Sequence, residues 1–200
     1  MNRLAAQHTR GLVEAGCDEA GRGCLAGPVV AAAVILPPRV RIPGLDDSKK
    51  LSEAKRTALR PLILEKALAW AVAEVGPAEI DAVNILRASF LAMHRAIDAL
   101  QQRPQHLLID GDRFIPYPGI RHTCLVQGDG RFRSIAAASI LAKTHRDALM
   151  EALDAEHPAY RWAENKGYPT AAHRAAIAAH GPTVWHRRSF ALLPAQGELF

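Results

Sequence analysis

The chain has 200 residues, of which 49% are hydrophobic and 22% charged, so it can bury a sizeable core and does not have the composition of a disordered protein. Its net charge of +5 favours an anionic partner, nucleic acid above all, and no apolar run reaches the roughly 18–20 residues of a membrane span. Three cysteines without paired spacing exclude a disulfide framework and a zinc ribbon, and fit a reducing compartment.

In chain order, "LVEAGCDEAG" (12–21) reads as a strand that ends in a glycine turn. "GPVVAAAVIL" (27–36) is a continuous apolar run rich in β-branched residues, a buried strand stopped by Pro37 and Pro38, and the short link makes the two a hairpin. After the polar loop "IPGLDDSKKLS" (42–52), Ser52 is placed to cap a helix running to about Ala67. "AWAVAEV" (69–75) alternates as a third strand. Residues 77–102 carry helical periodicity, with Ile85, Phe90, Met93 and Ile97 on one face. "HLLID" (106–110) and "RHTCLVQGD" (121–129) are further strands, each ending on an aspartate. "SIAAASILAKTHRDALMEALDAEH" (134–157) is a long helix stopped before Pro158, and 169–181 a shorter one ended by Gly181. Early strands joined by short links suit an antiparallel meander. The later ones need helical crossovers and are parallel, so the fold class is α/β, a mixed sheet flanked by helices. One domain is expected, with a core over about 12–157, a helical extension over about 158–190 and a tail over 191–200.

Four acids stand out by position. Asp18 and Glu19 leave the first strand, Asp110 ends a central one, and Asp129 follows the next. Strand ends are where α/β sheets gather functional groups. Carboxylates clustered there raise each other's pKa, and hard divalent cations relieve the repulsion. Two such ions about 4 Å apart activate a water and stabilise the leaving oxygen of a phosphodiester. Each acid taken alone reads equally as a turn or helix cap. Asp112 and Asp147 read as a loop residue and a solvated helix residue.

Other residues suit contact with a nucleic acid. Gly21-Arg22-Gly23 leaves backbone N–H groups open to a sugar-phosphate chain. Lys49 and Lys50 lie in a polar loop. Ser139, Lys143 and Arg146 follow an i, i+4, i+7 pattern on the long helix, beside a face of Ile135, Ala138, Ala142 and Leu149 that can pack on the sheet. In "NKGYPT", Tyr168 follows a glycine and can stack on a sugar or base. His186, Arg187 and Arg188 add late positive charge with no assigned use.

Taken in order, "CDEAGRGCLAGPVVAAAVIL", "DDSKKLS", "LLIDG", "QGDGRFRSIAAASILAKTHRD" and "NKGYPT" resemble the successive signatures of ribonuclease HII, the type 2 ribonuclease H of bacteria. The resemblance runs from about residue 12 to about residue 190. It implies a ribonuclease H-like, mixed five-stranded sheet with a C-terminal helical extension. It implies a metal-dependent endonuclease that cleaves the RNA strand of RNA–DNA hybrids and the 5′ side of single ribonucleotides embedded in duplex DNA. Asp18, Glu19, Asp110 and Asp129 would hold two Mg²⁺ or Mn²⁺ ions. Gly21, Arg22 and Gly23 would sense the ribose 2′-OH and Tyr168 the deoxynucleotide that follows, with Lys49, Ser139 and Lys143 near the phosphates. Cys24, Asp112 and Gly130 depart from the family's common proline, asparagine and alanine. The last five residues, "QGELF", resemble the short peptide by which bacterial proteins engage the replication sliding clamp, with Gln196, Leu199 and Phe200 as its anchors. A monomer in the cytoplasm, off the membrane, is expected. Another nuclease of the same fold and a non-catalytic hybrid-binding protein remain the alternatives.

Overall fold

The computed structural model describes residues 4–193. Five strands, β1 (Glu14–Ala20), β2 (Val29–Ile35), β3 (Ala69–Val75), β4 (His106–Asp110) and β5 (Arg121–Leu125), form one sheet in the order β3-β2-β1-β4-β5. β1–β2 and β2–β3 pair antiparallel, β1–β4 and β4–β5 parallel, as the connection lengths require. The expected mixed five-stranded sheet is therefore present.

β2 shows how sequence sets the layers. Its seven residues, VVAAAVI, are all buried. Val29, Ala31, Ala33 and Ile35 face one core, while Val30, Ala32 and Val34 face the other. The first core lies under α3 (Ile85–Asp98), whose Phe90, Met93 and Ile97 are buried. The second lies under α1 (Glu53–Lys66) and α4 (Arg133–Glu156). Small residues let α4 sit directly on the sheet. A Cβ on Gly16 of β1 would come within 2.3 Å of the α4 backbone at Ser134 and Ile135. Ser52 caps α1 as expected, its Oγ accepting from the Lys55 N–H at 3.4 Å.

Three local expectations are corrected. The helix expected over 77–102 is two, α2 (Pro77–Val83) and α3, broken at Asn84. That residue takes φ 68° and caps α3 by accepting from the Arg87 N–H at 3.1 Å. The strand expected over 121–129 stops at Leu125, and Gln127 at φ 54° turns the chain into a 3₁₀ turn, Gly128–Gly130, that carries Asp129. Short helical turns at Ser48–Lys50, Pro158–Tyr160 and α5 (Trp162–Asn165) were not expected from the sequence.

The C-terminal part folds back on α4. Tyr160 stacks on Trp162 at 5.1 Å between centroids, and Ile177 of α6 (Ala171–His180) joins Met150, Leu153, Leu25 and Ala26 in a third core. Leu25 and Ala26 belong to the loop after β1, so this packing fixes that loop. Among the described residues no helix is long and apolar enough to cross a membrane.

Candidate active site

The parallel pairing of β1 with β4 sets Cys17 against Ile109, so the next residues, Asp18 and Asp110, emerge side by side. The 3₁₀ turn after β5 folds Asp129 back towards them. It is pinned by the Gly128 N–H, which donates to Asp110 Oδ1 at 2.7 Å. One carboxylate oxygen each from Asp18, Asp110 and Asp129 lies within 4.8 Å of the others. Glu19 is outside this group. Alternation on the strand turns it away from Asp18, and Arg22 Nη1 donates to its Oε1 at 3.2 Å.

Asp18 and Asp129 are 4% and 1% exposed. Burial first, then the charges of Glu19 and Asp110, holds the Asp18 carboxyl well above the usual carboxylate range. Burial and Asp110 raise Asp129 likewise, and burial raises Glu19 against the pull of Arg22. Asp129 Oδ2 is buried with no hydrogen-bond partner among the described residues, and the Lys49 ammonium approaches it at 3.5 Å. Burial alone would lower the Lys49 pKa, but Asp129, Asp18 and Asp110 outweigh it and raise it.

A cavity of about 370 Å³ opens over the acids. Apart from Asp129, every expected site residue within the described range lines it: Asp18, Glu19, Gly21, Arg22, Gly23, Lys49, Asp110, Ser139, Lys143 and Tyr168. Ser139 is buried, its Oγ 2.8 Å from Ser48 Oγ, which ties the Ser48–Lys50 turn to α4. Lys143 Nζ donates to Asp147 Oδ1 at 2.6 Å and lies 5.8 Å from the Tyr168 ring centroid. Tyr168 is 41% exposed. Asp112 lies off the cluster beside Arg113. Gly130 donates its N–H to Asp129 Oδ1 at 2.9 Å.

Two side chains read otherwise from sequence turn out to be buried. Arg146 is 1% exposed and donates to the carbonyls of Pro28, Lys166 and Ala26 at 3.0, 2.7 and 2.9 Å. It is therefore not part of a phosphate-facing stripe. Asp147, expected in solvent, is 6% exposed and paired with Lys143.

Arg187, given no role from sequence, is fully buried and donates to Gly21, Arg22 and Gly27 at 2.7, 2.9 and 3.0 Å. Burial pushes its pKa down to about 10, which leaves it charged at neutral pH. The two guanidiniums grip the loop over 21–28 from beneath. Gly21 has φ +92°, and a Cβ there would strike Arg146 Nε at 2.1 Å, so only glycine fits. A Cβ on Gly23 would meet nothing within 4 Å. The one sequence signal for Arg146 was its place in the series Ala142, Arg146, Met150, Leu153, a buried helical stripe.

A divalent cation would relieve the orphaned oxygen and the mutual repulsion of the acids together, and basic walls with exposed backbone suit a phosphodiester. The class so defined is a metal-dependent nuclease built on a ribonuclease H-type sheet. Among known proteins, the Ribonuclease HII family model matches residues 15–193. The ribonuclease HII of Parabacteroides distasonis is 64% identical over 186 residues, covering 93% of this chain and 94% of that protein. Two solved structures share the fold, each with a TM-score of 0.76. The ribonuclease H2 of Pyrococcus horikoshii OT3 is 25% identical, over 90% of this chain and 94% of that one. The ribonuclease HII of Archaeoglobus fulgidus, solved in complex with PCNA, is 29% identical, over 90% and 95%. The chain belongs to the ribonuclease HII family, divalent-metal-dependent nucleases that hydrolyse RNA in RNA–DNA hybrids.

Proposed function

We propose that this chain cleaves on the 5′ side of single ribonucleotides in duplex DNA, as well as within longer RNA–DNA hybrids, leaving 5′-phosphate and 3′-hydroxyl ends. The observation that carries this reading is one shared cavity. In it, Asp18 and Asp110 of the acid cluster adjoin a glycine-arginine-glycine turn whose Gly21 and Arg22 carbonyls accept from Arg187. With those carbonyls occupied, the turn has its N–H groups left for a ligand. The open space at Gly23 admits a sugar at close range. The 2′-OH is the one group that marks a ribonucleotide within DNA.

The acids fit Mg²⁺ or Mn²⁺: their donors are all oxygens, and the deficit of positive charge lies among them. Asp18, Asp110 and Asp129, with Glu19 at the rim, would hold two ions, which supply an activated water and charge stabilisation of the leaving 3′ oxygen. The rest falls to the protein. Arg22 and the flanking glycines orient the ribose. Tyr168, half-exposed above Lys143, stacks on the next deoxynucleotide. Lys49 has a 78% exposed side chain and is free to swing from Asp129 to a phosphate. Ser139 holds the floor of the cavity. The chain acts as a monomer in the cytoplasm. Because the archaeal relative was solved with PCNA, the tail at Gln196, Leu199 and Phe200 is proposed to engage a sliding clamp; it lies outside the described residues.

The test is an end-labelled DNA duplex holding one ribonucleotide, incubated with Mg²⁺, Mn²⁺ or EDTA beside an all-DNA duplex. One metal-dependent cut 5′ of the ribonucleotide, absent from the control, is expected. Binding without cleavage in either metal would overturn the proposal.

A further inference from the structure

At the opposite end of β1 from Asp18, a second set of ligand-type side chains meets. One donor atom each from His8, Glu14 and His106 lies within 4.8 Å of the others. Glu14 and His106 are register partners on β1 and β4, so their side chains leave the same face of the sheet. Glu14 is buried, and its two oxygens accept from the backbone N–H groups of His8 and Thr9, each at 2.8 Å. Each oxygen keeps a lone pair.

The rings are held as well. His8 Nδ1 is 3.2 Å from Thr9 Oγ1, and His106 Nε2 is 2.9 Å from Thr123 Oγ1. That leaves the second nitrogen of each ring without a hydrogen-bond partner among the described residues. The two rings meet edge to face with centroids 5.8 Å apart.

The acid cluster offers only oxygens, which suit Mg²⁺ and Mn²⁺. Two imidazoles and a carboxylate suit a softer ion, and hydroxyl or backbone partners on the far side of each ligand are what orient such a site. We infer that His8, Glu14 and His106 form a second metal site, for Zn²⁺, that fastens the N-terminal segment to the sheet. Three protein ligands leave a fourth position, and exposed His8 opens it to water. Glu14 and Asp18 are separated by four residues of extended strand, about 13 Å, well beyond the spacing of about 4 Å that a shared catalytic pair needs. The segment concerned already bridges to the start of α4, where the Arg133 N–H donates to the Ala5 carbonyl at 3.0 Å. An ion on His8 would reinforce this attachment and raise stability by mass action.

The test removes the other site first. The triple variant Asp18→Asn, Asp110→Asn, Asp129→Asn is titrated with Zn²⁺ by calorimetry in excess Mg²⁺. One Zn²⁺ per chain is expected, with an unfolding temperature that rises with Zn²⁺ and not with Mg²⁺. His8→Ala or His106→Ala in the same background is expected to weaken binding by about tenfold or more. If the triple variant does not fold, the wild-type chain gives the same reading. There, His8→Ala with His106→Ala lowers the number of bound Zn²⁺ ions by one. No saturable Zn²⁺ binding by the triple variant, or a stoichiometry indifferent to both histidines, would overturn the inference.

Discussion

Glu14 and Asp18 are acids on the same strand, four residues apart, 7% and 4% exposed. They differ in company. Both Glu14 oxygens accept backbone N–H groups, from His8 and Thr9. Asp18 accepts the N–H of Glu19 at 2.7 Å and lies by the Ser139 hydroxyl, but burial first, then the charges of Glu19 and Asp110, outweigh these and raise its pKa. The same contrast divides the cations. Arg187 spends its donors on three carbonyls, whereas Lys49 leans over Asp129 from solvent. Burial alone therefore does not separate the residue that holds a fold from the one that performs chemistry. The separation lies in whether the group's partners are already supplied by the protein.

The largest effect expected from this contrast comes from Asp18→Asn. Losing a ligand to the ions forfeits several kcal/mol of transition-state stabilisation, so cleavage of the ribonucleotide duplex should fall by about a thousandfold or more. Without metal, the same substitution removes an uncompensated buried charge. The unfolding temperature of the metal-free variant should then exceed that of the wild type. Glu14→Gln should do the reverse, because its amide turns an N–H group towards one of the two backbone donors, from His8 or Thr9, and leaves that donor unpaired; a loss of about 1–3 kcal/mol is expected from thermal or urea unfolding. Equal signs for the two substitutions in metal-free protein would break the comparison.

Arg187 gives a sharper test of how the cavity is held. Lysine keeps the charge but lacks the fork, so Arg187→Lys leaves some of the carbonyls at Gly21, Arg22 and Gly27 unpaired. The turn should shift while the acids, which Arg187 does not touch, stay in place. Single-turnover cleavage at an embedded ribonucleotide should drop by about 10- to 100-fold, and Mn²⁺ affinity measured by calorimetry should hold within about twofold. A parallel fall in metal affinity would mean that Arg187 serves the whole fold and not the turn.

Much of this was legible in the sequence because it is local. Alternation and buried apolar runs gave all five strands, and the Ser52 cap began α1 where expected. The acids were found because strand ends are marked by where a run stops. What escaped depends on distant chain. Arg146 and Arg187 find their carbonyl partners at Pro28 and Gly27, 118 and 160 residues away, so no local pattern reveals what they bind; Arg187 has no periodic signal at all, and for Arg146 only its place in a buried helical stripe hints at burial. The break at Asn84 escaped because apolar periodicity runs on through it, while one residue at φ 68° turns the chain. The turn at Asp129 was hidden by Val126, an apolar residue that extends the strand pattern yet is 61% exposed.

The smallest effect sharpens the electrostatic half of the comparison. Asp18 has a folded-state pKa above its unfolded value, so the folded chain binds that proton more tightly. Its contribution is most favourable below the ordinary carboxylate pKa of about 4 and is lost as pH rises towards the folded value. A plain stability profile would blur this, because His173 and His186 work in the opposite direction. Burial holds both below the ordinary histidine pKa, His186 down to about 4, so they cost stability as pH falls from about 6.5. Subtracting the wild-type profile from that of Asp18→Asn cancels the histidines. In EDTA the variant's advantage should be small near pH 4 and grow as pH rises, read as a difference in unfolding temperature that widens with pH. Adding Mn²⁺ at pH 8 should reverse its sign, because only the wild type then has its buried charge neutralised by a full set of ligands. A difference that is flat with pH in EDTA would mean that Asp18 is as well provided for as Glu14.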